Sequence, residues 1–128
     1  MTIAVAYRPD DFGRAALEWA AAEARVKGES LLIINVHRTE PRLDTGHATG
    51  RHVQSITEAL AVDQVPFEVR QIEGDNIAAT VLFEAEQASA SLIVIGVRPR
   101  SPVGKILMGS VAQQILLDSS VPVVAVKP

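Results

Sequence analysis

Two patterns of hydrophobic positions alternate along the chain. Nearly continuous apolar runs at residues 31–36 and 92–95 are typical of strands that are buried on both faces of a parallel sheet. Shorter β-rich runs lie at residues 2–7 and 122–126, and residues 67–72 alternate between apolar and polar, which favours a strand near a sheet edge. The pattern therefore predicts five strands.

Apolar residues at spacings of three and four predict helices between these strands. Pro9, followed by Asp10 or Asp11, is a helix-start signal, and Gly28 is a C-cap signal that ends the first helix. The Gly-Asp pair at residues 74–75 is expected to cap the third helix. The positions predicted to face inward are Phe12, Ala16, Trp19, Ala20 and Ala24, then Val53, Ile56 and Leu60, then Ile77, Val81, Leu82, Ala85 and Ala88, and finally Val111, Ile115 and Leu116 in a last helix over residues 110–118.

This alternation of strands and helices is typical of an α/β fold with a mainly parallel sheet and helices on both of its faces. The chain has 128 residues, which suits one domain over residues 1–128 with a single core. In open sheets of this kind, ligands bind beyond the carboxyl ends of the strands, where the winding direction reverses. The strand that ends at residue 95 leads into Gly96, which starts a loop at one such end.

Composition narrows the classes of function. The chain has no cysteine, which excludes disulfides, thiolate metal sites and cysteine nucleophiles. No apolar run approaches the roughly 20 residues that a membrane span needs, and the first residues are too polar for a signal peptide, so we expect a cytoplasmic protein that contacts no membrane. The net charge of -3 argues against nucleic-acid binding, because proteins that bind the phosphate backbone carry a basic face.

The segment that follows Gly96 carries the clearest candidate chemistry. It is basic in a chain of net negative charge, and it ends at Gly109-Ser110, where a helical pattern begins. Unpaired amide groups at a helix start and the helix dipole both favour an anion. A strand, a basic loop and a helix start in this order predict an anion site over residues 96–110. The basic residues are Arg98, Arg100 and Lys105.

The same segment matches the nucleotide motif of a known family. That motif has a glycine, two residues, a second glycine, nine residues, and then Gly-Ser or Gly-Thr; Gly96 matches its first glycine and Gly109-Ser110 match its end. The preceding Val94-Ile95, the turn at residues 73–75 and the closing run at residues 121–126 also fit. On these features the chain resembles the universal stress protein family, the UspA-like domain, over essentially its whole length.

The resemblance implies a Rossmann-like three-layer sandwich, similar to the adenine-nucleotide α-hydrolases, that binds ATP or another adenine nucleotide. It implies no metal beyond the Mg²⁺ that accompanies a nucleotide. The implied binding residues are Ala6, Tyr7 and Arg8 at the end of the first strand, Val36 facing the adenine through its backbone, Ile95 and Gly96 under the ribose and phosphates, and Gly109, Ser110 and Val111 holding phosphates, with Arg98 and Arg100 added for their charge.

Two positions depart from the family pattern. Pro99 stands at the motif's middle glycine, and proline has no N–H for a phosphate and cannot adopt a positive φ. Arg8 stands where members that bind ATP usually carry an aspartate after the first strand. A second interpretation therefore stays open, which is a homodimeric interaction module of the same fold that does not bind nucleotide.

Several of these residues also have a purely structural explanation. Ser110 and Gln113 form the capping-box pattern S-x-x-Q, which is compatible with a phosphate role. Gly96 would also let a helix or loop pass close to a strand end, and Arg98 and Arg100 would also suit a solvated surface. The sequence leaves both explanations open for each of these residues.

Other catalytic and metal motifs do not fit. The Gly104-Lys105 pair is not a Walker A motif, because Pro99 replaces its first glycine and Ile106 follows the lysine. The three histidines do not share a helix face at metal-ligand spacing, and no Ser/His/Asp set is visible. We therefore predict neither a metal site nor a catalytic residue.

The last predicted strand, at residues 122–126, is short and apolar, and an apolar sheet edge is a liability unless it is paired. In the family this strand pairs with its copy in a second subunit, so we expect a homodimer; an edge covered by the C-terminal residues is the alternative. The expected function is nucleotide sensing in a stress response, with at most slow ATP hydrolysis. An α-hydrolase-like enzyme is a third class, and it would need an activating residue within residues 37–50, where none is evident.

Overall fold

The computed structural model describes residues 1–37, 50–97 and 109–128, and strand alternates with helix throughout these ranges. Each strand begins and ends within two residues of its predicted bounds. No helix in these ranges has both the length and the apolar character that crossing a membrane requires. The elements are β1 (Thr2–Ala6), α1 (Asp11–Lys27), β2 (Ser30–His37), α2 (Gly50–Asp63), β3 (Phe67–Glu73), α3 (Ile77–Gln87), β4 (Ala90–Gly96), α4 (Ser110–Asp118) and β5 (Val123–Val126).

The strands form one sheet in the order β3-β2-β1-β4-β5, and every neighbouring pair is parallel. The chain builds outward from β1 through β2 to β3, and then returns to the other side of β1 to add β4 and β5. The winding direction therefore reverses between β1 and β4, and open parallel sheets leave a crevice at such a point. This topology confirms the predicted Rossmann-like α/β sandwich.

Helices cover both faces of the sheet and divide the core into two clusters. Alternate residues of a strand point to opposite faces, so Ile3 and Val5 contribute to one cluster and Ala4 to the other. Helices α1 and α2 cover the first face, and α3 and α4 cover the second. The helical contributions include Ala16, Ala20, Ala24, Ile56 and Leu60 in the first cluster and Ala78, Val81, Ala85 and Ile115 in the second.

Helix α1 begins and ends where the sequence predicts. Asp10 is its N-cap, and the carboxylate Oδ1 accepts the backbone N–H of Gly13 at 2.8 Å. Gly28 ends the helix in the left-handed conformation, with φ 67°, and donates its N–H to the carbonyl of Ala24. Glycine suits this end because a φ of 67° is less favourable for residues with a side chain.

Two predicted features of the later helices are wrong. The N-cap of α3 is Asn76, whose Oδ1 accepts the N–H of Ala79 at 3.0 Å, and not the Gly-Asp pair at residues 74–75. Asparagine is among the strongest N-cap residues, so the cap nearest the helix prevails. Helix α4 buries only Ile115, whereas the other two residues predicted to face inward are at least 36% exposed.

The first turn of α1 packs against the ends of β1 and β4 at two glycines. A Cβ built on Gly96 would lie 2.1 Å from the carbonyl oxygen of Phe12, and one built on Gly13 would lie 1.9 Å from the carbonyl oxygen of Arg8. A side chain at either position would have to displace backbone atoms. The close approach of α1 therefore explains why a glycine stands at position 96. This is the structural explanation that the sequence left open.

We expect Gly96→Ala to destabilise the protein by about 1–3 kcal/mol, because the added methyl group must push the Phe12 backbone away. Gly50→Ala is the matched control: a Cβ there meets no described atom within 4 Å and lies in a helix, so stability should stay equal or rise. Urea unfolding followed by circular dichroism gives both midpoints. Equal midpoints for Gly96→Ala and the wild type would contradict the close contact.

Tyr7 is the residue after β1. Its side chain is partly buried and packs against the core cluster of α1 and α2. Burial raises the pKa of this phenol, while the charge of Arg14 lowers it and that of Asp10 raises it by smaller amounts. The folded protein therefore favours the neutral phenol. This contribution to stability is complete below the ordinary tyrosine pKa of about 10, and it is lost as the pH rises through the raised pKa of the folded state.

Tyr7 is the only tyrosine in the sequence, so the ultraviolet absorbance of phenolate reports on this residue alone. We expect the titration midpoint of the folded protein to lie above that of the same chain in denaturant, because burial disfavours the phenolate. The denatured sample supplies the ordinary pKa as a control. A midpoint in the folded protein at or below the control value would show that the phenol is not buried as described.

Candidate functional site

A cavity of about 350 Å³ opens at the carboxyl edge of the sheet, between the ends of β1 and β4. Its walls come from β1, β2 and β4, from the first turn of α1, and from α3 and α4. It therefore occupies the crevice at the reversal of winding, and its volume is in the range of small-molecule sites. The apolar part of the wall consists of Ile34, Val36, Ile77, Val81, Ile95 and Ile115.

Most of the binding residues that the sequence predicts line this cavity. They reach it from the ends of three strands and from the start of α4, although they are far apart along the chain. Arg98 and Arg100 lie outside the described residues. The contact of each residue with a ligand stays a prediction. The predicted residues that line the cavity are Ala6, Tyr7, Arg8, Val36, Ile95, Gly96, Gly109, Ser110 and Val111.

The start of α4 borders the cavity without a side-chain cap. Gly109 is the N-cap residue and Ser110 is the first helical residue, so the predicted capping box of Ser110 and Gln113 is wrong. The serine stands one position too far into the helix, and Gln113 donates its backbone N–H to the Gly109 carbonyl at 3.0 Å. Since the first amides of a helix have no intrahelical acceptor, those of Ser110 and Val111 have no partner within α4, and the N-cap residue supplies no side-chain acceptor.

The two glycines that match the ends of the motif differ in their surroundings. No described atom lies within 4 Å of a Cβ built on Gly109, and its φ of -62° is one that any residue adopts. The described packing therefore does not require a glycine at this position, whereas the backbone of Phe12 requires one at Gly96. A glycine with open surroundings, next to a cavity, lets a bound group come close to the backbone.

Arg8 and Asp10 form the charged part of the cavity wall. The Nε of Arg8 donates to Oδ2 of Asp10 at 3.2 Å, and the two side chains are 47% and 37% exposed. The same carboxylate caps α1 through its other oxygen. Sequence reasoning identified Asp10 only as a helix start, because nothing in the sequence indicates that the helix cap and the end of β1 share one cavity.

Asn35 is a second residue near the site that sequence reasoning missed. Its side chain is fully buried in β2, and its Nδ2 donates to the carbonyl of Tyr7 at 3.1 Å. Gln71 in β3 donates from Nε2 to the Asn35 Oδ1 at 3.4 Å. Asn35 therefore fixes the backbone that leaves β1 toward the cavity. The signal was present in the sequence, since Asn35 is the one polar residue within the apolar run at residues 31–36.

The chemistry of this wall suits binding better than proton transfer. Among the described residues that line it, only Tyr7, Arg8 and Asp10 carry ionisable side chains, and Asp10 is already a helix cap and an ion-pair partner. Within the described part of the chain, no three His, Cys, Asp or Glu side chains are grouped so that they could hold a metal. Apolar walls with a few polar groups are typical of sites for small organic molecules.

A second cavity, of about 420 Å³, lies on the opposite face of the sheet between α1 and α2. Tyr7 borders both cavities, but the second one includes no residue of β4 or α4 in its described lining. Its floor is formed by residues such as Leu17, Ile56 and Leu60, and Arg14 and Arg25 also line it. None of its described lining residues stands at a helix start, so this part of the wall lacks the amides that favour an anion in the first cavity.

Solved structures of universal stress proteins share the fold. One from Archaeoglobus fulgidus is 23% identical, with a TM-score of 0.77, and the match covers 98% of this chain and 97% of that one. Another from Archaeoglobus fulgidus, in complex with dAMP, is 17% identical with a TM-score of 0.68 and coverage of 98% and 96%. A universal stress protein in complex with cAMP is 17% identical with a TM-score of 0.78 and coverage of 98% and 96%.

Sequence relatives extend this likeness beyond the fold. The model of the universal stress protein family matches residues 1–127. A universal stress protein from Mycolicibacterium smegmatis is 42% identical over 126 residues, which are 98% of this chain and 97% of the relative. One from Thermus aquaticus, named for its place in a QAH/OAS sulfhydrylase 3'region, is 32% identical over 136 residues, with 98% of each chain covered. The chain belongs to the universal stress protein family.

Proposed function

We propose that this universal stress protein binds an adenine nucleotide in the cavity between the ends of β1 and β4, and that the bound nucleotide regulates its role in a stress response. The observation that carries the proposal is the start of α4, where amides without a side-chain cap border the cavity beside Gly109. Such amides, together with the helix dipole, favour a phosphate group. Among the described atoms, Gly109 leaves room for that group to approach the backbone.

The remaining wall suits the uncharged part of a nucleotide. Ile34, Val36 and Ile95 give it an apolar surface, and the family resemblance assigns the Val36 backbone to the adenine. The universal stress proteins of the same fold that were solved with dAMP and cAMP each hold an adenine joined to a single phosphate. An apolar wall and a helix start in one cavity are complementary to a molecule of this kind.

We propose binding rather than rapid turnover on the basis of the ionisable groups. The Asp10 carboxylate is held by Arg8 and by the first turn of α1, and the Tyr7 phenol packs against the other face of the sheet. No described pair of residues in the wall has the geometry of an activated nucleophile and its base. Any ATP hydrolysis at this site should therefore be slow.

We also propose that two copies pair through β5. The two edges of the sheet are β3 and β5, and they differ in charge. Strand β3 carries Glu68 and Arg70, and the Arg70 Nη1 donates to Glu84 of α3 at 2.8 Å; charges of this kind protect an edge from pairing. Strand β5 reads Val-Val-Ala-Val, without a charge, which favours addition of a strand from a second subunit.

Thermal unfolding with and without nucleotide tests the binding. A ligand at about 100 times its Kd adds about 2.7 kcal/mol to the free energy of unfolding, so AMP, cAMP or ATP should raise the wild-type midpoint. In Gly109→Val the branched side chain blocks the approach to the α4 amides, while its Cβ meets no described atom within 4 Å. We expect this variant to fold and to lose the nucleotide-dependent shift.

Gly50→Val is the matched control, because it makes the same change at a glycine with open surroundings outside the cavity lining. It should keep the nucleotide-dependent shift. A shift that persists in folded Gly109→Val would contradict binding at the start of α4. A wild type that responds to none of the three nucleotides would favour the interaction module instead, for which Pro99 at the motif's middle glycine is the supporting observation.

Light scattering coupled to size exclusion tests the pairing of β5. We expect the wild type to have twice the mass of one chain and Val124→Lys to have the mass of one, because a charge in this strand opposes edge pairing. Leu117→Lys adds the same charge at an exposed position of α4, which is 78% exposed, and should remain dimeric. A folded Val124→Lys variant with the wild-type mass would contradict pairing through this strand.

A further inference from the structure

We propose that Arg8 binds the nucleotide phosphate directly, with Asp10 holding its guanidinium group in position. This inference rests on the proposed nucleotide site and assigns the phosphate contact to one side chain of this chain. It concerns the position at which the sequence departs from the aspartate of the family pattern. Asp10 holds one edge of this guanidinium group, and Arg8 lines the cavity.

Asp10 is a rigid anchor for the arginine. One carboxylate oxygen, Oδ1, accepts the backbone N–H of Gly13 at 2.8 Å and so belongs to the first turn of α1. The other, Oδ2, accepts from the Nε of Arg8 at 3.2 Å. Gly13 is itself locked against the backbone of Arg8, since a Cβ there would lie 1.9 Å from the Arg8 carbonyl oxygen. The carboxylate therefore holds the guanidinium group to a fixed part of the fold.

Within the described part of the chain, the outer edge of the guanidinium group has no side-chain partner. Arginine has five N–H donors, and the described part of the chain accepts a side-chain hydrogen bond from Arg8 only at Nε. The two terminal nitrogens together form the planar fork that matches two oxygens of a phosphate. Arg8 is 47% exposed and lines the cavity, so this fork is accessible to a bound molecule.

Arg8 is also the one cation in the described lining of this cavity. Arg14, the next arginine along the chain, is paired with Asp11 at 3.2 Å and lines the second cavity instead. A phosphate bound between Arg8 and the α4 amides would continue an alternation of charge from Asp10 through Arg8 to the ligand. Without a ligand, Asp10 remains the partner of the arginine at 3.2 Å.

Calorimetric titration of Arg8→Gln with AMP and with adenosine tests this assignment. Loss of a charge-assisted contact should weaken AMP binding roughly 10- to 100-fold. Adenosine has no phosphate and cannot make this contact. Its affinity for the variant should therefore stay within about twofold of its affinity for the wild type. Arg14→Gln removes an arginine outside the cavity and is the matched control, with both affinities unchanged.

The outcomes separate this inference from the function on which it rests. Wild-type AMP binding that Arg8→Gln leaves unchanged overturns the role of Arg8 and keeps the nucleotide site. Equal losses for AMP and adenosine assign Arg8 a structural role and overturn the inference as well. A wild type that binds neither molecule overturns both proposals. Inorganic phosphate that binds as tightly as AMP, and depends on Arg8, supports the phosphate contact and overturns the preference for adenine.

Discussion

The contact between the first turn of α1 and the ends of β1 and β4 is the constraint on which the rest of the structure depends. It is a contact of backbone with backbone, made at Gly13 and Gly96, and it leaves no space for a Cβ at either position. Because of it, the cap of α1, the residue after β1 and the end of β4 all border one crevice. The position of the candidate site is therefore set by chain packing and by strand order, before any side chain that would touch a ligand is considered.

Around this fixed crevice, the two kinds of wall have different origins. The apolar wall continues the core between the sheet and α3–α4, with residues such as Val36 and Ile95 at its outer limit. The polar wall comes from chain ends: the Arg8–Asp10 pair follows β1, and Gly109 opens α4 without a side-chain cap. Buried Asn35 joins the two, since its amide holds the backbone at the end of β1. A molecule that is apolar at one end and anionic at the other matches this division.

Periodicity predicted the strands, helices and sheet class correctly, because runs such as residues 31–36 and 92–95 leave few alternatives to buried parallel strands. The N-cap residues were harder to predict, because neighbouring residues carry similar cap signals. Helix α3 is capped by Asn76 and not by the pair at residues 74–75, and the N-cap of α4 is Gly109 and not the serine that follows it. Long-range pairing was beyond the sequence, since the link of Asn35 to the end of β1 depends on strand order. The resemblance to the family supplied the predicted binding residues, and the fold explains why so many of them meet at one crevice.

An NMR titration of the ¹⁵N-labelled protein with AMP tests the central claim, which is that a phosphate group lies against the start of α4 in the crevice between β1 and β4. We expect the largest amide shift changes at Ser110 and Val111, with smaller changes at Gly96. The second cavity provides an internal comparison, because Ser55 and Ala59 line it and lie on the opposite face of the sheet. Changes concentrated at Ser55 and Ala59, with the α4 amides unmoved, would contradict the claim.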